Sequence, residues 1–259
     1  MTNLREVHDE WISRLRDICD AAIICIDEWG HRFLSCDVII NPMIDPYFWE
    51  YGASPAKLYA GQDYLILPEK ITVYHERQKS IPEKIGRACV SMGGVDKFGS
   101  TVKIARWLLE KHPDVQLDVI LGGGFRYQEE LESVIQGRDN VRSMQNISDI
   151  YDYFEAADLA FCAGGNTLHE LSCIGTPAVI VPTMPHERSN GNRFESMGFG
   201  ITLGMAEVLS DGELTEAWET LSGRKSRLDM MLAGKRICDG NGGRLVAKII
   251  YDYRYRYVC

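Results

Sequence analysis

Short apolar runs separated by amphipathic segments dominate the pattern of hydrophobic and polar positions along this chain. From about residue 85 onward, the runs RACVSM, LDVILG, DLAFCA and AVIVP alternate with helix-like segments. These runs are nearly continuous rather than alternating, which is typical of strands that are covered on both faces. Strands that alternate with helices in this way predict βαβ units around a parallel sheet. We therefore predict that residues 85–240 form a complete doubly wound, Rossmann-like α/β domain.

The first part of the chain shows this alternation of strands and helices less clearly. Its opening segment has apolar residues spaced three or four apart, which predicts a helix with one apolar face: Leu4, Val7, Trp11, Leu15 and Ile18. Strands are expected at AAIICI and DVII, and residues 43–85 then contain four prolines without clean periodicity, which indicates an interdomain connection. We assign residues 1–78 to a partial N-terminal α/β domain with its linker, and residues 79–259 to the C-terminal domain. The last helix is expected to pack back toward the N-terminal part.

Composition and charge narrow the possible functions. The chain has 259 residues, 45% of them hydrophobic, and carries 28 basic and 37 acidic residues for a net charge of -9. This is the composition of a globular protein, and it gives no general electrostatic reason to bind nucleic acid. The eight cysteines form no zinc-like set, and no segment reaches the roughly 18 to 20 apolar residues of a membrane span. We expect a cytoplasmic protein with reduced thiols, no metal site, no membrane span and no nucleic-acid partner.

Three glycine-containing turns follow predicted strands, namely SMGGVDKFGST, LGGGFRYQEE and CAGGNTLHE. In an open parallel sheet, ligands bind beyond the carboxyl ends of the strands, and all three turns lie at that edge. Glycine lets backbone N–H groups approach an anion closely, while the start of the following helix adds a partial positive charge. The turns predict a ligand site that includes the following glycines: Gly93, Gly94, Gly123, Gly164 and Gly165.

Glu170 follows the third turn and allows two interpretations. If Asn166 or Thr167 caps a helix, Glu170 lies about one turn in, where it can accept hydrogen bonds from a ligand held at that end. A carboxylate does not help to hold phosphate, but it can accept from both hydroxyls of a vicinal diol such as a ribose. Alternatively, Glu170 is the acidic residue of a capping box whose first residue is Thr167. The spacing fits both interpretations.

Two further groups of polar residues lie at the same predicted edge. The segment PTMPHERSNGNRFESMG contains His186, Glu187 and Asn190, and so many hydrogen-bonding groups indicate either a sugar- or base-facing loop or a solvated loop with a helix cap. Asp96, in GGVDKFGST, could bond within its own turn or reach the ligand. We interpret His112 and His169 as structural.

Five motifs in order and spacing resemble the C-terminal domain of nucleotide-sugar enzymes of the GT-B fold: GGVDKFGST, ILGGGFRYQEEL, NVRSMQNISDIYDYFEAADLAFCAGGNTLHELSCIGTPAVIVP, HERSNGNRFESMG and CDGNGGRLVAKII. Within that group, the chain is most similar to the UDP-sugar hydrolases of the pseudaminic acid pathway and their spore-coat polysaccharide relatives. The segments IICIDEWGHRFLSCDVIINP and YGASPAKLYAGQDYLILPE resemble the end of the N-terminal domain of that family. The resemblance therefore covers essentially the whole chain.

The resemblance implies a protein that binds a UDP-sugar mainly on its C-terminal domain and releases UDP, without a cofactor, in the biosynthesis of surface polysaccharide or nonulosonic acid. Its nucleotide-binding positions would be the following: Gly93, Gly94, Asp96, Gly123, Gly164, Gly165, Asn166, Thr167 and Glu170. Glu170 matches the carboxylate that binds ribose, and the sugar side would be formed by His186, Glu187 and Asn190. The chain departs from the family at two places. On the sugar side, His186 and Glu187 stand where relatives usually carry Asn-Gln, and elsewhere Pro68 stands where relatives usually carry Arg.

A larger departure concerns the catalytic residue. Members of the family begin with a GxGHxxR-type turn whose histidine is catalytic, and this chain resembles the family only from beyond that turn. His31, in WGHRF, is the candidate general base, although a loop histidine would fit the same segment. The alternatives to a hydrolase are a glycosyltransferase, a donor-binding subunit, and a non-catalytic homologue that binds nucleotide-sugars. A homodimer or a separate chain that supplies the N-terminal half is the expected protein partner.

Overall fold

The computed structural model describes residues 9–26, 35–42 and 56–254. The chain divides into two compact units, of which unit 1 comprises Met1–Glu69 with Asp239–Cys259 and unit 2 comprises Lys70–Cys238. The seven cysteines in the described part are free thiols. No helix there combines the length and the apolar character that crossing a membrane requires.

The secondary-structure elements alternate along most of the chain. Unit 1 contains α1 (Asp9–Ile18), β1 (Ile24–Ile26), β2 (Val38–Asn41), β3 (Lys57–Ala60) and, at the other end of the chain, α10 (Gly242–Arg254). Unit 2 contains α2 (Ile71–Glu76), β4 (Arg87–Ser91), α3 (Ser100–Lys111), β5 (Gln116–Leu121), α4 (Gln128–Ile135), β6 (Val141–Gln145), α5 (Ile150–Ala156), β7 (Leu159–Cys162), α6 (Asn166–Ile174), β8 (Ala178–Ile180), α7 (Pro185–Ser196), β9 (Ile201–Thr202), α8 (Asp211–Ser222) and α9 (Arg224–Ile237).

The sheet of unit 2 has six parallel strands in the order β6-β5-β4-β7-β8-β9. The chain starts in the middle at β4, moves outward to β6, and returns to β7 on the other side of β4. The strand order reverses between β4 and β7, where Ser91 lies beside Cys162, and ligands of doubly wound domains bind at such a point. The prediction of a doubly wound α/β domain is confirmed.

Burial explains which strands could be predicted from the sequence. The central strands β4, β7 and β8 are enclosed by helices on both faces, and Val90, Phe161 and Val179 are fully buried. Strand β6, with the sequence VRSMQ, lies at the sheet edge and is largely exposed, so it lacks the apolar run that predicts a strand. Inside the sheet, Asp118 is 1% exposed and is paired with Arg87 and Arg142 at 2.9 and 2.7 Å. A buried carboxylate needs such partners.

The boundary predicted between residues 78 and 79 falls inside unit 2. Cationic side chains of α9 hold residues 75–82 against the rest of this unit. Lys235 donates to the carbonyls of His75 and Arg77, at 2.6 and 2.7 Å. The buried Arg227 donates to the carbonyl of Pro82 at 2.8 Å. Such contacts between distant parts of the chain cannot be predicted from local composition.

Unit 1 is built on a parallel three-stranded sheet in the order β1-β2-β3. One core cluster joins β2 to α10 through Val38, Ile40, Val246, Ile249 and Tyr253. The division of the chain thus assigns α10 to unit 1, although it follows the whole of unit 2 in sequence.

The apolar face predicted for the opening helix packs only in part over the described residues, where Leu15 is half-buried. In α1, Ile12 is buried with Cys36 and Ile39, whereas Trp11 is 45% and Ile18 is 79% exposed. Periodicity finds an amphipathic helix, but contact with the sheet decides which side is covered. His31 and the segment around it lie outside the described residues.

Candidate functional site

The turn after β4 begins with two glycines that have open space around them. Gly93 has a φ of 78°, and a methyl group added to either Gly93 or Gly94 would meet nothing within 4 Å. The rest of the turn is closed by Asp96, which is 4% exposed. Its carboxylate oxygens accept from the backbone N–H groups of Ser100 and Thr101, at 3.0 and 2.6 Å. Asp96 therefore bonds within its own turn and caps the start of α3.

The turn after β5 packs directly on the first turn. A methyl group on Gly122 would lie 2.2 Å from the carbonyl oxygen of Gly93, and the N–H of Gly124 donates to the carbonyl of Gly94 at 2.9 Å. These two glycines are needed for close approach of the backbones. Gly123, the predicted site residue, has more space, since the nearest atom to such a methyl group is Asn146 Oδ1 at 3.9 Å.

The third turn differs in how the following helix begins. Helix α6 has Gly165 as its N-cap, and among the described residues no side chain accepts a hydrogen bond from the N–H groups of Asn166 or Thr167. Neither Asn166 nor Thr167 is the N-cap, because both already lie inside the helix, with Asn166 exposed and Thr167 half-buried. Their N–H groups lie at the positive end of the helix dipole. Gly164 is required here, since a methyl group on it would lie 2.3 Å from the carbonyl oxygen of Glu187.

Glu170 is the fifth residue of α6, too far along the helix to serve as the acidic residue of a capping box. That interpretation is wrong because the helix starts two residues earlier than a cap at Thr167 requires. The Glu170 carboxylate instead accepts a hydrogen bond from the hydroxyl of Tyr151 at 3.1 Å. Burial raises the pKa of Glu170, and the hydrogen bond from Tyr151 opposes that shift.

The predicted polar loop after β8 is mostly the first turns of α7. Oε2 of Glu187 accepts from the backbone N–H and the hydroxyl of Thr183, at 2.8 and 2.6 Å. Its Oε1 would lie 3.5 Å from a methyl group added to Gly165, so this carboxylate borders the third turn. His186 is exposed. Thr183 was not among the predicted residues, although its position four residues before Glu187 could have indicated a helix-start pair.

Asn190, predicted on the sugar side, holds the third turn in place. Its side-chain nitrogen donates to the carbonyl of Gly164 at 2.6 Å and lies 3.4 Å from Nε2 of His169. His169 is buried with its ring edge against Phe194, and its Nδ1 has no hydrogen-bond partner within the described residues. Burial lowers the pKa of His169 to about 4, so the ring is neutral at physiological pH.

Across residues 9–26, 35–42 and 56–254, no group of three or more His, Cys, Asp or Glu side chains is arranged to hold a metal ion. The arrangement at the switch point instead offers backbone N–H groups and carboxylates. Backbone amides at a helix start suit an anion, and a carboxylate one turn into the helix suits hydroxyl groups.

Residues 89–236 match the glycosyltransferase family 28 C-terminal domain. The chain is 24% identical over 249 residues to the spore coat polysaccharide biosynthesis protein SpsG of Bacillus subtilis strain 168, covering 94% of this chain and 73% of the relative. It is also 31% identical over 165 residues to the UDP-N-acetylglucosamine--N-acetylmuramyl-(pentapeptide) pyrophosphoryl-undecaprenol N-acetylglucosamine transferase of Salinibacter ruber, covering 61% of this chain and 43% of the relative.

Among solved structures, MurG of Acinetobacter baumannii is similar to the chain with a TM-score of 0.67 and 15% identity, covering 94% of this chain and 70% of that protein. These similarities confirm the predicted fold class. The fold is GT-B-like, and unit 2 is a doubly wound, Rossmann-like α/β domain. The chain spans less than half of the Salinibacter ruber transferase.

Proposed function

Because this chain belongs to glycosyltransferase family 28 through its C-terminal domain, we propose that unit 2 binds the nucleoside diphosphate of a sugar donor. The protein would take part in glycosyl transfer during polysaccharide biosynthesis. The observation that carries this proposal is the start of α6, which lies at the switch point of the sheet and has no side-chain cap from any residue that the structure describes.

The diphosphate is assigned to the third turn. Backbone N–H groups of Asn166 and Thr167 donate to the phosphate oxygens, and the helix dipole adds a favourable field. Gly164 and Gly165 let the ligand approach the backbone, while Gly93 and Gly94 border it from the turn after the neighbouring strand β4. Asp96 is assigned to the shape of its turn, because its carboxylate is buried and holds the N–H groups of Ser100 and Thr101.

The ribose is assigned to Glu170. One of its oxygens accepts from Tyr151. Within the described residues Tyr151 is the only hydrogen-bond partner of Glu170, and the other oxygen can accept from a ribose hydroxyl. This assignment explains why a carboxylate stands one turn into a helix whose start suits phosphate.

The sugar is assigned to the start of α7. Glu187 borders the third turn with one oxygen, and Asn190 fixes the carbonyl of Gly164 beside it. His186 lies exposed on the same turn of helix. When the sugar departs, negative charge develops on the diphosphate, and the N–H groups at the start of α6 stabilise it. His31 stays a candidate general base from sequence alone.

Transfer to an acceptor is favoured over the hydrolysis expected from the sequence. The matching family is one of glycosyltransferases, and the Salinibacter ruber relative is named as a transferase that uses UDP-N-acetylglucosamine. The name of the Bacillus subtilis relative supports a role in polysaccharide biosynthesis. Uracil as the base, and a second copy or separate chain as partner, stay predictions.

Calorimetric titration with UDP tests the assignment of the site. We expect wild-type protein to bind UDP and Glu170→Ala to lose about 100-fold in affinity, because a carboxylate that accepts from ribose hydroxyls is removed. The matched control is Glu195→Ala, an exposed carboxylate on α7, which should bind UDP as tightly as the wild type. Equal affinities of all three proteins would refute the ribose assignment.

A turnover assay separates transfer from hydrolysis. The protein is incubated with UDP-N-acetylglucosamine, with and without a crude acceptor fraction, and released UDP is measured by chromatography. Release only in the presence of acceptor supports transfer. Release without acceptor supports hydrolysis, and UDP binding without any release would contradict both enzymatic functions while leaving the binding site intact.

A further inference from the structure

A buried tyrosine on the neighbouring helix touches the candidate ribose carboxylate. Tyr151, on α5, is 1% exposed, and its hydroxyl donates to Oε1 of Glu170 at 3.1 Å. We propose that Tyr151 is a positioning residue that fixes Glu170 in the orientation that recognises the ribose hydroxyls. This inference rests on the proposed function, since it assigns a specificity role within the same site.

The ring of Tyr151 also contacts α2 and Lys70, the residue that precedes α2. The ring of Tyr74 meets the ring of Tyr151 edge to face, with centroids 5.6 Å apart. Lys70 Nζ lies 5.3 Å from the centroid of the same ring. A side chain held by two such contacts has little freedom to turn away from Glu170.

Three polar contacts fasten this segment to α5, so the restraint on Tyr151 does not depend on a single pair. Lys70 pairs with Asp149 at 3.0 Å, and the hydroxyl of Tyr74 donates to Asp152 at 2.6 Å. One turn further, Arg77 pairs with Glu155 at 2.7 Å. Each surface contact contributes little alone, but together they keep α2 aligned along α5.

The hydrogen bond also matters for the charge of Glu170. Burial raises the pKa of this carboxyl group, and the hydrogen bond from Tyr151 lowers it. An ionised carboxylate accepts hydrogen bonds on both oxygens, whereas a protonated one has lost part of that capacity. Tyr151 thus occupies Oε1, favours the ionised form, and leaves Oε2 as the acceptor for ribose.

A tyrosine that only stabilised the fold would make the same buried hydrogen bond. The test must therefore measure how strongly the protein prefers a ribose to a deoxyribose. We compare wild type, Tyr151→Phe and Tyr153→Phe by calorimetric titration with UDP, 2′-deoxy-UDP and pyrophosphate. Phenylalanine keeps the ring and its packing and removes one oxygen. Tyr153, on the same helix, is the matched control, because its described contact is the ring face toward Arg142, which phenylalanine retains.

We expect Tyr151→Phe to bind UDP about tenfold more weakly, with smaller loss for 2′-deoxy-UDP and none for pyrophosphate. Its preference for ribose over deoxyribose should therefore shrink, while Tyr153→Phe keeps the wild-type preference.

If Tyr151→Phe retains the full preference for UDP while Glu170→Ala loses UDP binding, the positioning role is overturned and the proposed function stands. If Glu170→Ala binds UDP normally, the proposed ribose site fails and this inference fails with it. An equal loss for all three ligands would show a structural role and would also overturn the inference.

Discussion

The turns after β4 and β7 look alike in sequence but are stabilised in different ways. Both follow buried central strands, both carry a Gly-Gly pair, and both lead into a helix at the switch point. After β4, the carboxylate of Asp96 takes the first N–H groups of α3. After β7, no side chain in the described part of the protein caps α6, and the side chain of Asn190 fixes the turn by donating to the carbonyl of Gly164.

The difference teaches that a glycine-rich turn becomes a candidate anion site only when its helix start is left uncapped. Backbone N–H groups that already donate to a carboxylate are not available to a phosphate. A turn held by its carbonyl oxygen keeps its N–H groups for a ligand. The turn after β4 therefore borders the proposed site, and the third turn, after β7, forms its anion-binding part.

The largest expected effect comes from placing a methyl group where the third turn packs closely against α7. In Gly164→Ala the new methyl group would lie 2.3 Å from the backbone oxygen of Glu187, so α7 must move. We expect a loss of about 3 kcal/mol in the free energy of unfolding, as for overpacked sites. Chemical denaturation of the variant and the wild type measures this change in the free energy of unfolding. Gly94→Ala is the control from the first turn, where the methyl group meets nothing within 4 Å; similar losses in the two variants would contradict the difference between the turns.

Acid should destabilise the third turn, which leads into α6, more than the turn after β4. Burial lowers the pKa of His169 to about 4 from its ordinary 6.5. Between these values the unfolded chain binds a proton that the folded chain does not, so the stability from the neutral ring is complete above about pH 6.5 and is lost as the pH falls toward 4.

From pH 7 to pH 5, this histidine should lower the free energy of unfolding by about 2 kcal/mol. His169→Phe removes the titrating group and should make unfolding less sensitive to pH over this interval. His186→Gln, at an exposed position on α7, serves as the control and should keep the wild-type dependence. The same pH dependence in His169→Phe and wild type would exclude His169 as the source.

The smallest of these effects concerns the cap of the first turn. Asp96→Ala should cost about 1 kcal/mol of stability, because two N–H groups at the start of α3 lose their acceptor. UDP affinity, measured by calorimetry, should change less than twofold. The exposed Asp139→Ala is the matched control and should leave both quantities unchanged. A large loss of UDP binding in Asp96→Ala would make Asp96 a ligand contact and remove the contrast between the turns.

Several features of the site could be predicted from sequence because they are local. The glycine pairs follow apolar runs at fixed spacing, so the runs at Val90 and Phe161 predict where the strands end and the turns begin. The first residue of α6 could not be predicted from residue types, because Asn166 and Thr167 are both good capping residues but the helix begins at Asn166 itself. Only the backbone at Gly165 decides that boundary.

The sequence by itself determined the alternation of strands and helices, the parallel sheet and the glycine-rich edge, because each depends on the order of apolar and polar residues over a few positions. The tertiary structure decided which helix start is capped, why Gly164 must be glycine, and that Tyr151 meets Glu170. These contacts join residues that are far apart in the chain, as in Glu187 against Gly164 and Asn190 donating to Gly164. Such contacts form only when β7 and β8 pair side by side and bring the two helix starts together.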